Sequence, residues 1–454
     1  MQLPPELLAS LTTVNGFDKE AFEKVHASGE QVTSIRINPS KWSASEAIDH
    51  SFVIDHPIPW SQYGYYLSQR PSFTFDPLFH AGCYYVQEAS SMFLEQALKQ
   101  TTDLSQPLKI LDLSAAPGGK STHIQSLMDK DSLLVSNEVI RSRATVLKDN
   151  IIKWGCGNVM VTNNDPKDFS RLEGYFDVIV VDAPCSGSGL FRRDPEAIGE
   201  WSLNNVQLCS QRQQRILADV WPALKEGGIL IYSTCSYSAT EDEDITNWLL
   251  REFPASFSPV PIETDLTEWG IVASGNGYRF WPDKVKGEGF FIACFRKTGD
   301  TSSVQLRIKN RPEQATKKET AIISHWVKEE DLVFIKHENT VYAWPAHLAD
   351  DFSFLLNQLR VVYSGTIIGE LVRDKLVPHH ALAMSTISNE GLVRTELDEI
   401  NAIRYLQRKE MTIAIQQTGW QIVTFRGHAL GWINALPNRI NNYYPKELRI
   451  LKDN

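Results

Sequence analysis

The central part of this 454-residue chain reads as an α/β domain built on a buried parallel sheet. Three observations predict it. Five short apolar runs alternate with helical stretches between Leu108 and Ser236, the pattern of successive βαβ units. The first run, LKILDLS, passes into a Pro117-Gly118-Gly119 turn that opens a helix. Such a strand–turn–helix passage suits ligand binding at a helix N-terminus. A closing pair, YRFWPD and GFFIACFRK, flanks a Lys/Gly-rich turn and reads as an antiparallel hairpin.

Taken in order, residues 1–100 read as a mixed α+β region. Helical patterns over Pro5–Leu11 and Phe17–His26 precede an extended stretch, Val32–Pro39, and aromatics are dense from Trp60 to Tyr85. Residues 101–297 hold the alternating segments. After LKILDLS come the helical THIQSLM, the run SLLVSNE, a helix from about Ser142 to Trp154, and the run NVMVTNND. FDVIVVDAP is the most apolar run. A helix over about Leu208–Leu224 ends at Gly227-Gly228, which suit a left-handed helix stop. GGILIYSTCS is the fifth run. Residues 298–320 are polar and aperiodic, and read as a linker. Residues 321–454 carry short alternating segments, with a small β-rich domain expected from about 380.

Composition narrows the function classes. Lys plus Arg number 45 against 55 Asp plus Glu, for a net charge of −10. A nucleic-acid partner would therefore have to be met by local basic charge. The six cysteines form no C-x-x-C pair and no zinc array. His80 and Cys83 have no second pair, so no metal site is expected. Cys83, Cys156, Cys209 and Cys294 read as small buried hydrophobes. No run approaches a membrane span, and MQLPPELLAS is no secretory signal. A soluble, cytosolic monomer is expected.

Several strand ends carry chemistry. In ILDLSAAPGGKS (110–121), Gly118 and Gly119 permit close backbone approach to a ligand; a plain βα turn is the alternative. Glu138 ends the second run, where dinucleotide-type folds place a ribose-binding acid; a surface Glu is the alternative. Asp165 suits an adenine amino group or, equally, an Asx-turn before Pro166. Asp182 opens DAPCSGSG (182–189), which carries Cys185 in a polar glycine-rich loop. Cys235 lies in YSTCSYS (232–238). Two thiols at two neighbouring strand ends would meet in one cleft, whereas structural thiols usually sit mid-strand.

SAAPGGKS, DAPCSGSG and YSTCS, in this order, resemble the Sun-type family of S-adenosylmethionine-dependent RNA cytosine-5 methyltransferases. SIRINP around Arg36, YYVQEASSM (84–92) and GEGFFIACFRK agree, so the likeness runs from about residue 30 to 297. Many members carry Cys where this chain has Ser114. GHALGWINA and Asn442-Tyr443-Tyr444-Pro445 are similar to the PUA-type extension of the bacterial 16S ribosomal RNA methyltransferase F subgroup. The resemblance implies a Rossmann-like methyltransferase domain between an N-terminal RNA-binding region and a PUA-like domain.

It also implies roles. Cys235 is the nucleophile that adds to carbon 6 of cytosine, and Cys185 assists product release. Asp182 meets the N3/N4 edge of the base, and Lys120 supports the site electrostatically; solvent exposure is the alternative for Lys120. S-adenosylmethionine is expected on Ser114, Ala115, Ala116, Pro117, Gly118, Gly119, Lys120, Glu138, Asp165 and Asp182. The target cytosine must be unpaired or flipped out. Candidate RNA contacts are Arg141, Arg143, Lys148 and Lys153; Arg192, Arg193, Arg212 and Arg215; and Arg426, Arg439, Lys446, Arg449 and Lys452. Each patch reads equally as a solvated face. Tyr237, Phe191 and Trp201 read as core aromatics before base-stacking ones. The expected substrate is 16S rRNA or the 30S subunit near the decoding region. The alternatives are tRNA, a non-catalytic ribosome-assembly factor, or a small-molecule methyltransferase.

Overall fold

A computed structural model describes residues 2–43, 54–253, 256–263, 265–299, 306–328, 331–414 and 417–452. At the N-terminus, α1 (Pro5–Leu11) and α2 (Lys19–Ala27) precede β1 (Thr33–Ile37), β2 (Ile54–Pro57), β3 (Gly64–Leu67) and β4 (Tyr84–Val86). These strands form an antiparallel sheet in the order β2-β3-β1-β4. α1 and α2 contribute to a different core. Their Leu7, Leu11 and Phe22 join Phe191, Trp201, Tyr237 and Trp281 in a separate buried cluster. The N-terminal helices thus cover loops of the next domain.

That domain begins with α3 (Leu94–Thr101). It continues through β5 (Lys109–Asp112), α4 (Gly119–Leu127), β6 (Leu133–Asn137), α5 (Arg141–Trp154), β7 (Val159–Thr162) and β8 (Phe176–Asp182). α6 (Leu203–Val220), β9 (Leu224–Thr234) and α7 (Glu243–Glu252) follow. The five strands are parallel in the order β7-β6-β5-β8-β9. Nearly every one of their side chains is buried, which explains the continuous apolar runs. The strand order reverses beside β5, so ligands are expected outside the carboxyl ends of β5 and β8. β10 (Phe257–Pro259), β11 (Val272–Ser274), β12 (Gly277–Phe280) and β13 (Phe290–Lys297) extend the sheet antiparallel, with β13 on β9.

Three boundaries differ from expectation. α6 starts at Leu203, where Ser202 caps it, and ends at Val220. Pro222 cannot continue a helix, so the stop comes before the glycines. Gly227, at φ +72°, lies instead in an irregular stretch of β9, where the pairing with β8 shifts register. The predicted linker is too long. Residues 313–320 include β14 (Glu313–Gln314) and the start of α8 (Lys317–Ile323), whose Thr316 and Glu319 form a reciprocal capping box.

The third concerns the C-terminal region. β15 (Leu332–His337), β16 (Thr340–Pro345), α9 (Ala349–Gln358), β17 (Val361–Ser364), β18 (Thr366–Val372) and β19 (Lys375–Pro378) follow in order. β17 pairs with β7 and so belongs to the central sheet, while the other strands and β14 form a separate antiparallel sheet. Last come β20 (Arg394–Glu396), α10 (Glu399–Leu406), β21 (Gly419–Phe425), β22 (His428–Leu436) and β23 (Arg439–Asn442). Their Leu397, Tyr405, Val423 and Ile433 share one core with Ile35 and Tyr84 of the N-terminal sheet. The two flanking domains therefore pack together. Among the described residues, no helix is long and apolar enough to cross a membrane. None of their His, Cys, Asp or Glu groups is arranged to hold a metal ion.

Candidate active site

Two thiols meet at the carboxyl ends of β8 and β9. These strands pair in parallel with Asp182 opposite Ser233, so the loops that follow them emerge side by side. Cys185 Sγ lies 2.9 Å from Cys235 Sγ, across fifty residues of sequence. A disulfide bond is about 2.05 Å long, so both are free thiols, and both are partly exposed. The hydrogen bond to Cys235, reinforced by burial and by the charges of Cys235 and Glu241, pushes the Cys185 thiol well up. The Cys185 thiol is thus held in its protonated form.

The loops are held by polar side chains that the sequence reading passed over. Asp242 accepts a 2.5 Å hydrogen bond from Thr234 Oγ1 and pairs with buried Arg279 at 3.0 Å. Arg279 also donates to the Tyr237 carbonyl, so both flanks of Cys235 are tied down. Glu241 accepts from both loops. Glu241 and Asp242, the first two members of the acidic run Glu241–Asp244, are buried structural acids. Gly189 donates its N–H to the Cys235 carbonyl, and a Cβ there would lie 2.7 Å from that oxygen.

Lys120 and Asp182 complete the centre. Lys120 Nζ lies 2.7 Å from Asp182 Oδ2, with the lysine side chain 14% exposed. Solvent exposure is thus not the role of Lys120. Asp182 Oδ1 accepts from Ser233 Oγ at 2.9 Å.

The predicted cofactor residues lie along the carboxyl ends of β5, β6 and β7. Ser114 to Pro117 form the turn after β5, and Gly118, at φ +118°, opens α4. A Cβ on Gly118 would face Leu147, and one on Gly119 would face Tyr85. A side chain at either position would press on protein, so glycine at both keeps the turn packed against α5 and the N-terminal sheet. Arg143 and Asn150 of α5 hold the Ala116 and Pro117 carbonyls. Glu138 is buried, accepting from Ile140 N and facing Arg143 at 3.6 Å; it is not a surface Glu. Asp165 does form the predicted turn, accepting from Lys167 N. Asp112, at the end of β5, is the acid that sequence reasoning left unassigned. Its Oδ2 accepts from Ser121, while its buried Oδ1 has no partner among the described residues. Burial pushes its carboxyl up to about 7. A buried, half-satisfied carboxylate beside Asp182 fits a cationic ligand such as a sulfonium amino acid.

Not all predicted RNA contacts are available. Arg192 is buried and donates to the Gly287 and Glu30 carbonyls. Lys153 packs over Phe79 at 4.0 Å, and burial lowers its ammonium to about 8. Arg192 belongs to the interior, and Lys153 is half-buried against the N-terminal domain. Tyr237 stacks on Trp281, and Phe191 and Trp201 share that buried cluster, as core aromatics should. Arg193, Arg212, Arg426, Arg439, Lys446, Arg449 and Lys452 are exposed.

The chain is similar over most of its length to proteins of known family. It is 31% identical over 436 residues to ribosomal RNA small subunit methyltransferase F of Shewanella woodyi, covering 91% of this chain and 90% of that protein. The protein of the same name from Psychromonas ingrahamii is 30% identical over 449 residues, covering 93% and 91%. The family described as 16S rRNA methyltransferase RsmB/F matches residues 99–296. This chain belongs to the RsmB/F family. Its flanks match the N-terminal domain of 16S rRNA methyltransferase RsmF (residues 3–89) and the methyltransferase RsmF PUA domain (residues 393–450). Among solved structures, a methyltransferase homolog protein from Pyrococcus horikoshii is 28% identical with a TM-score of 0.52, covering 65% of this chain and all of that one. NSun6 from the same organism, 20% identical with a TM-score of 0.54, covers 65% and 99% and shares the fold. This RsmB/F member is thus a Rossmann-like methyltransferase with an N-terminal domain and a C-terminal PUA domain.

Proposed function

We propose that this RsmB/F member methylates carbon 5 of a cytosine in 16S rRNA, near the decoding region, through a covalent cysteine–cytosine intermediate. The observation that carries the reading is the 2.9 Å approach of Cys185 to Cys235 beside the Lys120–Asp182 pair. Carbon 5 of cytosine is a weak nucleophile. Addition of the Cys235 sulfur to carbon 6 makes it enamine-like, so that it accepts a methyl group. Cys185 then assists loss of the carbon 5 proton, and the carbon 6–sulfur bond breaks to return Cys235. Asp182, oriented by Lys120 and Ser233, meets the base's N3/N4 edge and supports the charge that builds during addition.

S-adenosylmethionine supplies an electrophilic methyl group on a sulfonium. Residues Ser114 to Lys120, Glu138, Asp165 and Asp182 would hold it, with Asp112 offering its unpartnered oxygen. The base must leave its stack, at a cost of a few kcal/mol. The relatives named for small-subunit ribosomal RNA favour 16S rRNA or the 30S subunit over tRNA. The intact thiol pair favours an enzyme over a binding-only assembly factor. In this reading the protein acts as a cytoplasmic monomer.

The test compares 30S subunits, naked 16S rRNA and tRNA as substrates, with 5-methylcytosine mapped at nucleotide resolution. Exclusive tRNA modification refutes the ribosomal assignment. Cys235→Ala is expected to lose methylation and keep RNA affinity, while Cys185→Ala accumulates an RNA–protein adduct on denaturing gels. The opposite pattern reverses the two roles.

A further inference from the structure

One buried carboxylate ties together the two loops that carry the thiols. Glu241 ends the short turn Ala239–Glu241 and is fully buried. Its Oε1 accepts from Ser186 N at 2.8 Å and from Gln213 Nε2 at 3.3 Å. Its Oε2 accepts from Ser186 Oγ at 2.5 Å and from Ser236 Oγ at 2.6 Å. Ser186 directly follows Cys185, and Ser236 directly follows Cys235.

We propose that Glu241 is a positioning residue that sets the two thiols against each other by joining their loops. The proposal rests on the two-thiol chemistry above. In that chemistry two sulfur atoms serve adjacent carbons of one ring, so their spacing must be held; a misplacement of about 1 Å can cost on the order of a hundredfold in rate. Burying a carboxylate is costly unless its oxygens are satisfied. Here four donors satisfy it, three of them on residues that immediately follow the thiols. Bonds to an ionised acceptor are roughly twice as strong as neutral ones. The charge has a second effect. After the Cys235 hydrogen bond and burial, it is among the influences that push the Cys185 thiol up. It therefore favours the protonated form of Cys185, while Cys235 acts as nucleophile.

The test uses Glu241→Gln and Glu241→Asp in the full chain. Gln keeps the shape and loses the charge; Asp keeps the charge and loses reach. The first measurement needs no RNA. Iodoacetamide alkylation of Cys185 is followed against pH by mass spectrometry of its peptide, in a Cys235→Ser background. Glu241→Gln is expected to lower the midpoint by about one pH unit, a tenfold gain in reactivity below it. Glu241→Asp leaves the midpoint in place. The second measurement is 5-methylcytosine formation with Cys235 intact, expected to fall at least tenfold in both variants. An unmoved midpoint in Glu241→Gln, or turnover within threefold of the parent in both variants, overturns the proposal. If the parent makes no 5-methylcytosine, the underlying chemistry fails, and the alkylation midpoint alone decides the role of Glu241. Should Glu241→Gln not fold, Ser236→Ala removes one tie and keeps the carboxylate. It is expected to lower turnover at least fivefold, and unchanged turnover overturns the proposal.

Discussion

Lys120 Nζ sits 2.7 Å from Asp182 Oδ2, joining the first turn of α4 to the carboxyl end of β8. Burial alone would pull the ammonium down, but the Asp182 charge outweighs it and holds Lys120 above its usual range. Lys120 is thus cationic at neutral pH. Lys120→Met leaves Asp182 without its cation. The expected cost is about 2 kcal/mol of stability, less than a fully buried pair because Asp182 is a third exposed. Turnover should fall at least tenfold while RNA affinity stays within threefold. Methyl incorporation and filter binding on one preparation check this, and retained turnover would remove Lys120 from the centre.

Asp112 makes stability depend on pH. Its folded pKa is about 7 against an ordinary 3.8, chiefly through burial. Between about pH 4 and 7 the folded chain holds a proton that the unfolded chain has lost. The contribution is present in full below pH 4. It falls as pH rises through that window and is gone above 7, a change of up to roughly 4 kcal/mol. Asp112→Asn removes it. The variant's melting temperature should therefore gain on the parent's at pH 8 relative to pH 4.5. An equal gap at both values means that Asp112 does not carry a raised pKa.

How much of this was legible in the sequence depends on the range of the interaction. Cys185 and Cys235 were legible because each follows an apolar run, and parallel strands deliver their carboxyl ends to one edge. Asp182 was legible for the same reason. Glu241 was not, because its partners Ser186 and Gln213 lie 55 and 28 residues away and an acidic run looks solvated. Arg192 and Lys153 look like any surface cations, and only the fold reveals that the first is buried and the second half-buried. β17 is not among the segments that stand out in the sequence of the C-terminal region. Its docking on β7 is a choice of sheet edge that local pattern does not encode.

Arg36 links the N-terminal domain to the start of α4. Its buried guanidinium donates to Thr122 Oγ1 at 2.6 Å, Gly119 O at 3.2 Å, Ser126 Oγ at 3.1 Å and Gln87 Oε1 at 2.9 Å. Arg36→Ala opens a cavity and strands these acceptors, with an expected loss of roughly 3–5 kcal/mol. Arg36→Lys should not restore it, since a point charge does not reproduce the fork. Denaturant unfolding measures the loss, and recovery of the midpoint in the lysine variant would contradict the geometric argument.

RNA binding by an acidic chain must come from local charge, and burial of Arg192 together with the packing of Lys153 on Phe79 narrows where that charge lies. Arg439, Lys446 and Arg449 stay exposed around the C-terminal domain. Replacing all three by Ala should weaken 16S rRNA binding at least tenfold and leave turnover at saturating RNA unchanged, because they belong to the C-terminal domain and the thiols to the loops after β8 and β9. The discriminating measurement is salt dependence. Each lost phosphate contact lowers the slope of log affinity on log salt by about 0.7 on single strands. Three lost contacts therefore flatten it by about 2, whereas three solvated cations would leave both slope and affinity where they were.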